Sequence, residues 1–212
     1  CTERFCWGLT TNPLDVTDAY QESFIVNTYG LPTHTIYRGQ AEPVQLVFQS
    51  YVVNRFDGTP DNAARDNSIG YLNGGVTVLV PRRNNGPVLS ITGTSGLSAQ
   101  YTGWGATFEL EAFRKINKAQ NLEQFREAVT YFDVGSQNFA YADMEGNIAY
   151  FTSAENPIRD DLQNLNAPDG TPPSLIRDGT GARRNEWLPV TNRIPNQAVP
   201  YEVMPATERP FV

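Results

Sequence analysis

The chain has 212 residues, 40% hydrophobic and 18% charged, which is enough to bury a sizeable core in one domain or two small ones. Its formal charge of −7, with 16 basic residues scattered singly or in pairs such as Arg82-Arg83 and Arg183-Arg184, argues against a surface that tracks nucleic-acid phosphates. The longest apolar stretches, Val78-Leu79-Val80 among them, fall far short of the roughly 20 residues a membrane helix needs, so neither nucleic acid nor a membrane is an expected partner.

In chain order, Phe5-Cys6-Trp7-Gly8-Leu9 has the character of a strand interior, and the start at Cys1 gives the chain the look of a processed or excised product. Cys1 and Cys6 are the two cysteines and could form a disulfide. Alternating, β-branched and aromatic residues predict strands over Phe24 to Tyr29, Thr33 to Arg38, Pro43 to Phe56 and Val76 to Pro81. The turn formers and charges between Asp57 and Asn67 predict an exposed loop. Two helices follow, the first with Leu110, Phe113 and Ile116 on one stripe, the second with Leu122, Phe125, Val129 and Phe132. Asn121 is the expected N-cap of the second, with Gln124 completing a capping box. Residues Asn138 to Asp143 and Asn147 to Phe151 flank Met144-Glu145-Gly146 and predict a hairpin in which Gly146 takes a positive φ. Beyond Arg159 the repeated prolines from Pro168 to Pro210 predict an irregular segment lying against something larger. The expected fold class is α+β, mostly strand. The chain divides into a sheet-and-helix part over 1–159 and a Pro-rich extension over 160–212.

Several chemistries are disfavoured by the residues themselves. His34 is the sole histidine and sits on one face of a strand; with two cysteines and no HExxH or CxxC spacing, a dedicated zinc cage is not expected. Gly93-Thr94-Ser95-Gly96-Leu97 has leucine where a nucleophile elbow needs its second glycine, so a turn is the better reading. No Walker loop or dinucleotide fingerprint occurs, and no organic cofactor is implied.

Phe5-Cys6-Trp7-Gly8-Leu9-Thr10-Thr11-Asn12 with Asp15-Val16-Thr17-Asp18, then Asn85-Gly86-Pro87-Val88, then Gln137 to Tyr150, then Trp187-Leu188-Pro189-Val190 with Pro200-Tyr201-Glu202 occur in that order along nearly the whole chain. This ordered set resembles the nucleophile-bearing β chain of the penicillin acylase family of N-terminal nucleophile hydrolases, which includes the aculeacin and acyl-homoserine lactone acylases. The resemblance implies part of an αββα fold and hydrolysis of the amide bond of a small N-acyl compound. In that family an N-terminal serine attacks, its own α-amine serving as base through a water, so no catalytic histidine is needed. It further implies that the oxyanion is stabilised by the Thr11 backbone N–H and the Asn138 side-chain amide, and that Arg159 holds the geometry and charge of the site. It places the family's structural calcium at Asp15, the Thr17 carbonyl and Asp18, a partial shell for an ion that takes six to eight oxygens.

Each assignment has a plainer rival. Asn138 could bond its own backbone at a hairpin end, Arg159 could pair with Asp160 or Asp161 at the surface, and DxxD is a common loop or N-cap pattern. The family's nucleophile strand and acyl-pocket subunit have no counterpart in the sequence. The expectation is therefore an internal β-chain piece, inactive alone, whose partners are the α subunit and the rest of the β chain. An exported location, periplasmic or secreted, is likewise implied by the resemblance. Two other readings stay open: Cys1 as an N-terminal nucleophile of an amidase, and a non-catalytic β-rich binding module presenting Tyr101, Trp104 and Tyr141.

Overall fold

The computed structural model describes residues 1–48, 52–54, 58, 63–65, 75–162, 170–188, 201–203 and 207–210. The chain gathers into two compact units, one of residues 1–18, 101–174 and 184–212, the other of residues 19–100 and 175–183. This division differs from the split at residue 159 suggested by the proline content.

The first unit is built on an antiparallel sheet in which β1 (Phe5–Thr11) pairs with β11 (Gln137–Asp143), and β11 with β12 (Asn147–Glu155). β11 and β12 are the expected hairpin. Gly146 has φ 88°, which a side chain would resist, and the Asp143 carboxylate accepts the N–H groups of Glu145 and Asn147 at 3.0 and 2.9 Å. One face of the sheet carries α1 (Glu109–Lys118) and α2 (Leu122–Val129). The period of two puts Phe139, Tyr141, Ala149 and Phe151 on that face, with Phe5 beside them, and all five are buried. Phe125 of α2 fills the centre, its ring 4.9 Å from Tyr141, 5.6 Å from Phe5 and 5.8 Å from Phe151.

The helices correct two expectations. Leu110 is 86% exposed; the packed stripe of α1 is instead Ala112 and Ile116, one turn apart, with Phe113 partly buried beside them. Asn121 does cap α2, its side chain accepting Gln124 N–H at 2.9 Å, but Gln124 Oε1 returns the bond to Gln120 N–H rather than to Asn121. The proline-rich tail is not irregular throughout: β14 (Tyr201–Val203) and β15 (Thr207–Pro210) both run antiparallel to β12. An open sheet edge outweighs the proline content there, because Pro210 is tolerated at the end of an outer strand.

The second unit is an eight-stranded sheet with the order β4-β3-β2-β10-β9-β8-β5 and β13 beside β2. These strands are β2 (Thr17–Val26), β3 (Pro32–Tyr37), β4 (Gln40–Pro43), β5 (Gln45–Phe48), β8 (Val76–Val80), β9 (Gly86–Thr92), β10 (Ser95–Tyr101) and β13 (Arg177–Asp178). β2 begins before the expected start at Phe24. The stretch expected as one strand from Pro43 to Phe56 holds β4's end, β5 and β6 (Val52–Asn54). β6 pairs with β7 (Ala63–Arg65), which falls inside the predicted loop; the rest of 57–67 apart from Gly58 lies outside the described residues. The Asn85-Gly86-Pro87-Val88 motif has a steric reason: a Cβ on Gly86 would sit 1.9 Å from the Ala99 carbonyl oxygen. Beneath this sheet Glu22 is fully buried, accepting from Arg83 Nε at 2.6 Å and Ser98 Oγ at 2.7 Å, while the Arg83 guanidinium lies 3.3 Å over the Tyr20 ring.

Candidate functional site

The face of the β1-β11-β12 sheet opposite the helices carries Asn138. Register sets Thr10, Asn138 and Thr152 side by side, one from each strand. Thr152 Oγ1 donates to Asn138 Oδ1 at 3.1 Å, and Asn138 Nδ2 donates to the Thr11 carbonyl at 3.3 Å and to Thr10 Oγ1 at 3.4 Å. The two Nδ2 contacts are long for N–H···O bonds, so the amide hydrogens are only loosely held. Asn138 is half-buried; it is not bonding its own backbone in the contacts seen here, which was the plainer reading of a hairpin-end asparagine.

Thr11 is the last residue of β1. The next N–H, that of Asn12, donates to the Ser136 carbonyl at 3.0 Å, and Asn12 Nδ2 donates to Ser136 Oγ at 3.1 Å. In an antiparallel pair successive residues point their backbone groups to opposite sides, so the Thr11 N–H turns away from β11. Among the described residues β1 is the end strand of this sheet. The structure therefore brings two of the expected residues together: the backbone N–H of Thr11 faces the open edge and the Asn138 amide reaches the same residue's carbonyl.

Arg159, Asp15 and Asp18 form a second cluster in the same unit. Arg159 is 8% exposed and grips the fully buried Asp18 carboxylate through Nε (2.8 and 3.1 Å) and Nη2 (2.9 Å). Its Nη2 also donates to the Asp15 carbonyl at 3.1 Å, and the Asp15 carboxylate is 3.5 Å away. Trp187 Nε1 donates to Asp18 Oδ2 at 2.6 Å, and its backbone bridges to Arg159. Asp160 binds the exposed Arg184, and Asp161 accepts Thr171 N–H and Asn185 Nδ2. Arg159 is thus a buried pinning residue rather than a surface arginine.

The expected calcium ligands lie in this cluster, but as arranged they do not fit the ion. Both Asp18 oxygens are taken by an arginine and an indole N–H, and a guanidinium already supplies the positive charge. Of the expected set that leaves the half-exposed Asp15 carboxylate and the Thr17 backbone, with the rest of a six-to-eight-oxygen shell expected from other parts of the fold and the companion chain. Among the described residues no group of three or more carboxylate, imidazole or thiolate side chains is placed to hold a metal.

The remaining candidates resolve individually. Cys1 and Cys6 are joined by a disulfide, so the Cys1 sulfur is not a free thiolate in this state. Tyr141 is buried in the core with its hydroxyl donating to Asp143 at 3.0 Å, and burial together with that bond pushes its phenol above the usual range. It cannot be part of an exposed ligand platform. Tyr101 and Trp104 stack edge to face, the latter half exposed. His34 lies on β3 with Nδ1 3.0 Å from Thr33 Oγ1, and Gly93-Thr94 turns β9 into β10.

Sequence reasoning missed Trp187 as a partner of Asp18, and Thr10 and Thr152 as partners of Asn138. The last was within reach: the hairpin that centres on Met144-Glu145-Gly146 pairs Ala142 with Ile148 and, counting back, Asn138 with Thr152.

A family model described as Penicillin amidase matches residues 1–211. Among solved structures, the thermostable penicillin G acylase from Alcaligenes faecalis is similar, with a TM-score of 0.60 and 21% sequence identity. That match covers 97% of this chain and 32% of the other, so the chain spans about a third of the acylase chain's length.

Proposed function

The chain belongs to the penicillin amidase family, and from that premise we propose that it is the oxyanion-stabilising part of an acylase that hydrolyses the amide bond of a small N-acyl compound. The observation that carries this reading is the pairing of the Thr11 N–H, turned to the open edge of β1, with the loosely held Asn138 amide beside it. Attack on an amide carbonyl converts a neutral oxygen to an anion in the transition state, and two fixed N–H donors stabilise it there more than they stabilise the substrate. The nucleophile comes from a part of the protein beyond these residues, and turnover requires the α subunit and the remainder of the β chain. Arg159 positions the segment that follows Thr11, pinning it at the Asp15 carbonyl and the Asp18 carboxylate. The Cys1–Cys6 disulfide supports an exported location, because such bonds persist in oxidising compartments.

The test is Asn138→Ala in the complete acylase, assayed against phenylacetyl, long aliphatic and dicarboxylic N-acyl amides. Loss of one oxyanion donor lowers kcat by about 10²–10³ with folding intact. Turnover within threefold of the parent protein refutes the assignment.

A further inference from the structure

Resting on the acylase reading, we propose that Thr152 is a positioning residue that anchors the Asn138 amide through Oδ1 so that Nδ2 stays presented to the oxyanion. A carboxamide has two ends of nearly the same shape, one acceptor and one donor, and only its partners decide which way it points. Thr10 and Thr152 hydroxyls flank the amide, and either could donate or accept. The Thr11 carbonyl breaks that symmetry, since it can only accept; it draws Nδ2 toward β1 at 3.3 Å and leaves Oδ1 facing β12. Thr152 Oγ1 lies 3.1 Å from Oδ1 and must then be the donor.

The two restraints behave differently during catalysis. For an Nδ2 hydrogen to serve the oxyanion it must slacken its hold on Thr11 O or Thr10 Oγ1, both already long at 3.3 and 3.4 Å. The Thr152 bond involves the other end of the amide and persists throughout. It is thus the restraint that still anchors the amide when an anion, which like the carbonyl can only accept, becomes the partner of Nδ2. A hydroxyl bonded to Oδ1 also polarises the amide and strengthens its N–H as a donor. The hairpin register that sets Thr152 opposite Asn138, and the alternation that keeps Phe151 and Ser153 on the helix face, leave Thr152 free for this task.

The experiment compares Thr152→Val, Thr152→Ser and Asn138→Ala in the complete acylase with one hydrolysable N-acyl amide. Valine keeps the branched shape and removes the hydroxyl. The expected result is a kcat about tenfold lower in Thr152→Val with KM within about twofold, since the donor is misdirected for part of the time rather than deleted. Thr152→Ser should recover kcat to within about threefold, because serine retains the hydroxyl donor. Thr152→Val turnover within twofold of the parent, beside an Asn138→Ala variant that has lost activity, overturns the positioning role and leaves the acylase reading standing. So does a serine variant as impaired as valine. If Asn138→Ala keeps turnover within threefold of the parent, the oxyanion role of Asn138 fails and the positioning role of Thr152 falls with it, an outcome distinct from the loss of the Thr152 effect alone.

Discussion

Asp18→Asn removes the negative charge from a buried ion pair of the first unit. In the parent protein the Asp18 carboxylate, itself fully buried, accepts Arg159 Nε and Nη2 between 2.8 and 3.1 Å and Trp187 Nε1 at 2.6 Å. The amide offers one oxygen for these donors and turns its own NH2 toward one of them, depriving a guanidinium that is 8% exposed of the Asp18 charge. Breaking a buried pair from one side costs about 3–5 kcal/mol. The Asp15 carboxylate, half exposed and 3.5 Å from Nη2, offers partial compensation, so the lower end applies, about 3 kcal/mol. At about 2–4 °C per kcal/mol for a domain of this size, the melting temperature falls by about 6–12 °C. Differential scanning calorimetry of both proteins, each with and without EDTA, measures it. Because Arg159 already neutralises Asp18, chelation should leave the parent's melting temperature unmoved. A shift under about 2 °C for Asp18→Asn would refute the reasoning. So would a parent protein that loses stability to EDTA and regains it with added calcium, which would mean that a metal displaces Arg159 from the carboxylate.

Phe125→Ala empties the centre of the aromatic cluster and should cost about 3–5 kcal/mol, read from urea midpoints, together with loss of near-ultraviolet circular dichroism. Gly86→Ala drives a methyl against the Ala99 carbonyl, a backbone atom that cannot step aside, and should destabilise by about 3 kcal/mol or more; an unchanged urea midpoint would contradict the contact. Burial raises the Asp143 carboxyl, but the bonds from Asn147, Tyr141 and Glu145 outweigh it and hold it below its ordinary value of 3.8. A depressed carboxyl stabilises the fold above its unfolded value and loses that contribution as pH falls through the folded one, so acid should lower the parent's melting temperature more steeply than that of Asp143→Asn. Parallel curves would show that the hairpin turn carries no such linkage.

The hairpin, the two helices and the strand character of residues 5–9 were legible because each depends on neighbours within a few residues. Gly146, Asn121 and the alternation of Phe139, Tyr141 and Phe151 carry their structural instructions locally. Leu110 misled because a helix stripe can be drawn through it as readily as through Ala112, and alanine gives no hydrophobic signal of its size. β14 and β15 were hidden because pairing to the distant β12 overrides prolines, and no local pattern records which edge is open; β7, which pairs with the nearby β6, was hidden because its three residues lie among turn formers. For the site, the family pattern pointed to Thr11 and Asn138, yet the direction of the Thr11 N–H follows only from the Asn12–Ser136 bond across more than a hundred residues. Trp187 as partner of Asp18 was equally out of reach, being separated by 169 positions.

The same alternation that builds the core sets it apart from the proposed oxyanion donor. On β11 and β12, Phe139, Tyr141, Phe151 and Ser153 face the helices, where a lost methylene is felt at once in packing. Asn138 and Thr152 stand on the opposite face, one residue away along each strand, and touch none of that core through their side-chain hydrogen bonds. A substitution at either position therefore changes the direction or strength of a donor while the aromatic cluster under α2 stays closed. It follows that a change at Asn138 or Thr152 should register in kcat before it registers in melting temperature, and a change at Phe139 or Phe151 in the reverse order. A single-residue slip of β11 against β1 would exchange the two faces, burying Asn138 and exposing Phe139. The large apolar residues thus hold the register on which the alignment of Thr10, Asn138 and Thr152 depends, and through that register the core bears on the proposed donor.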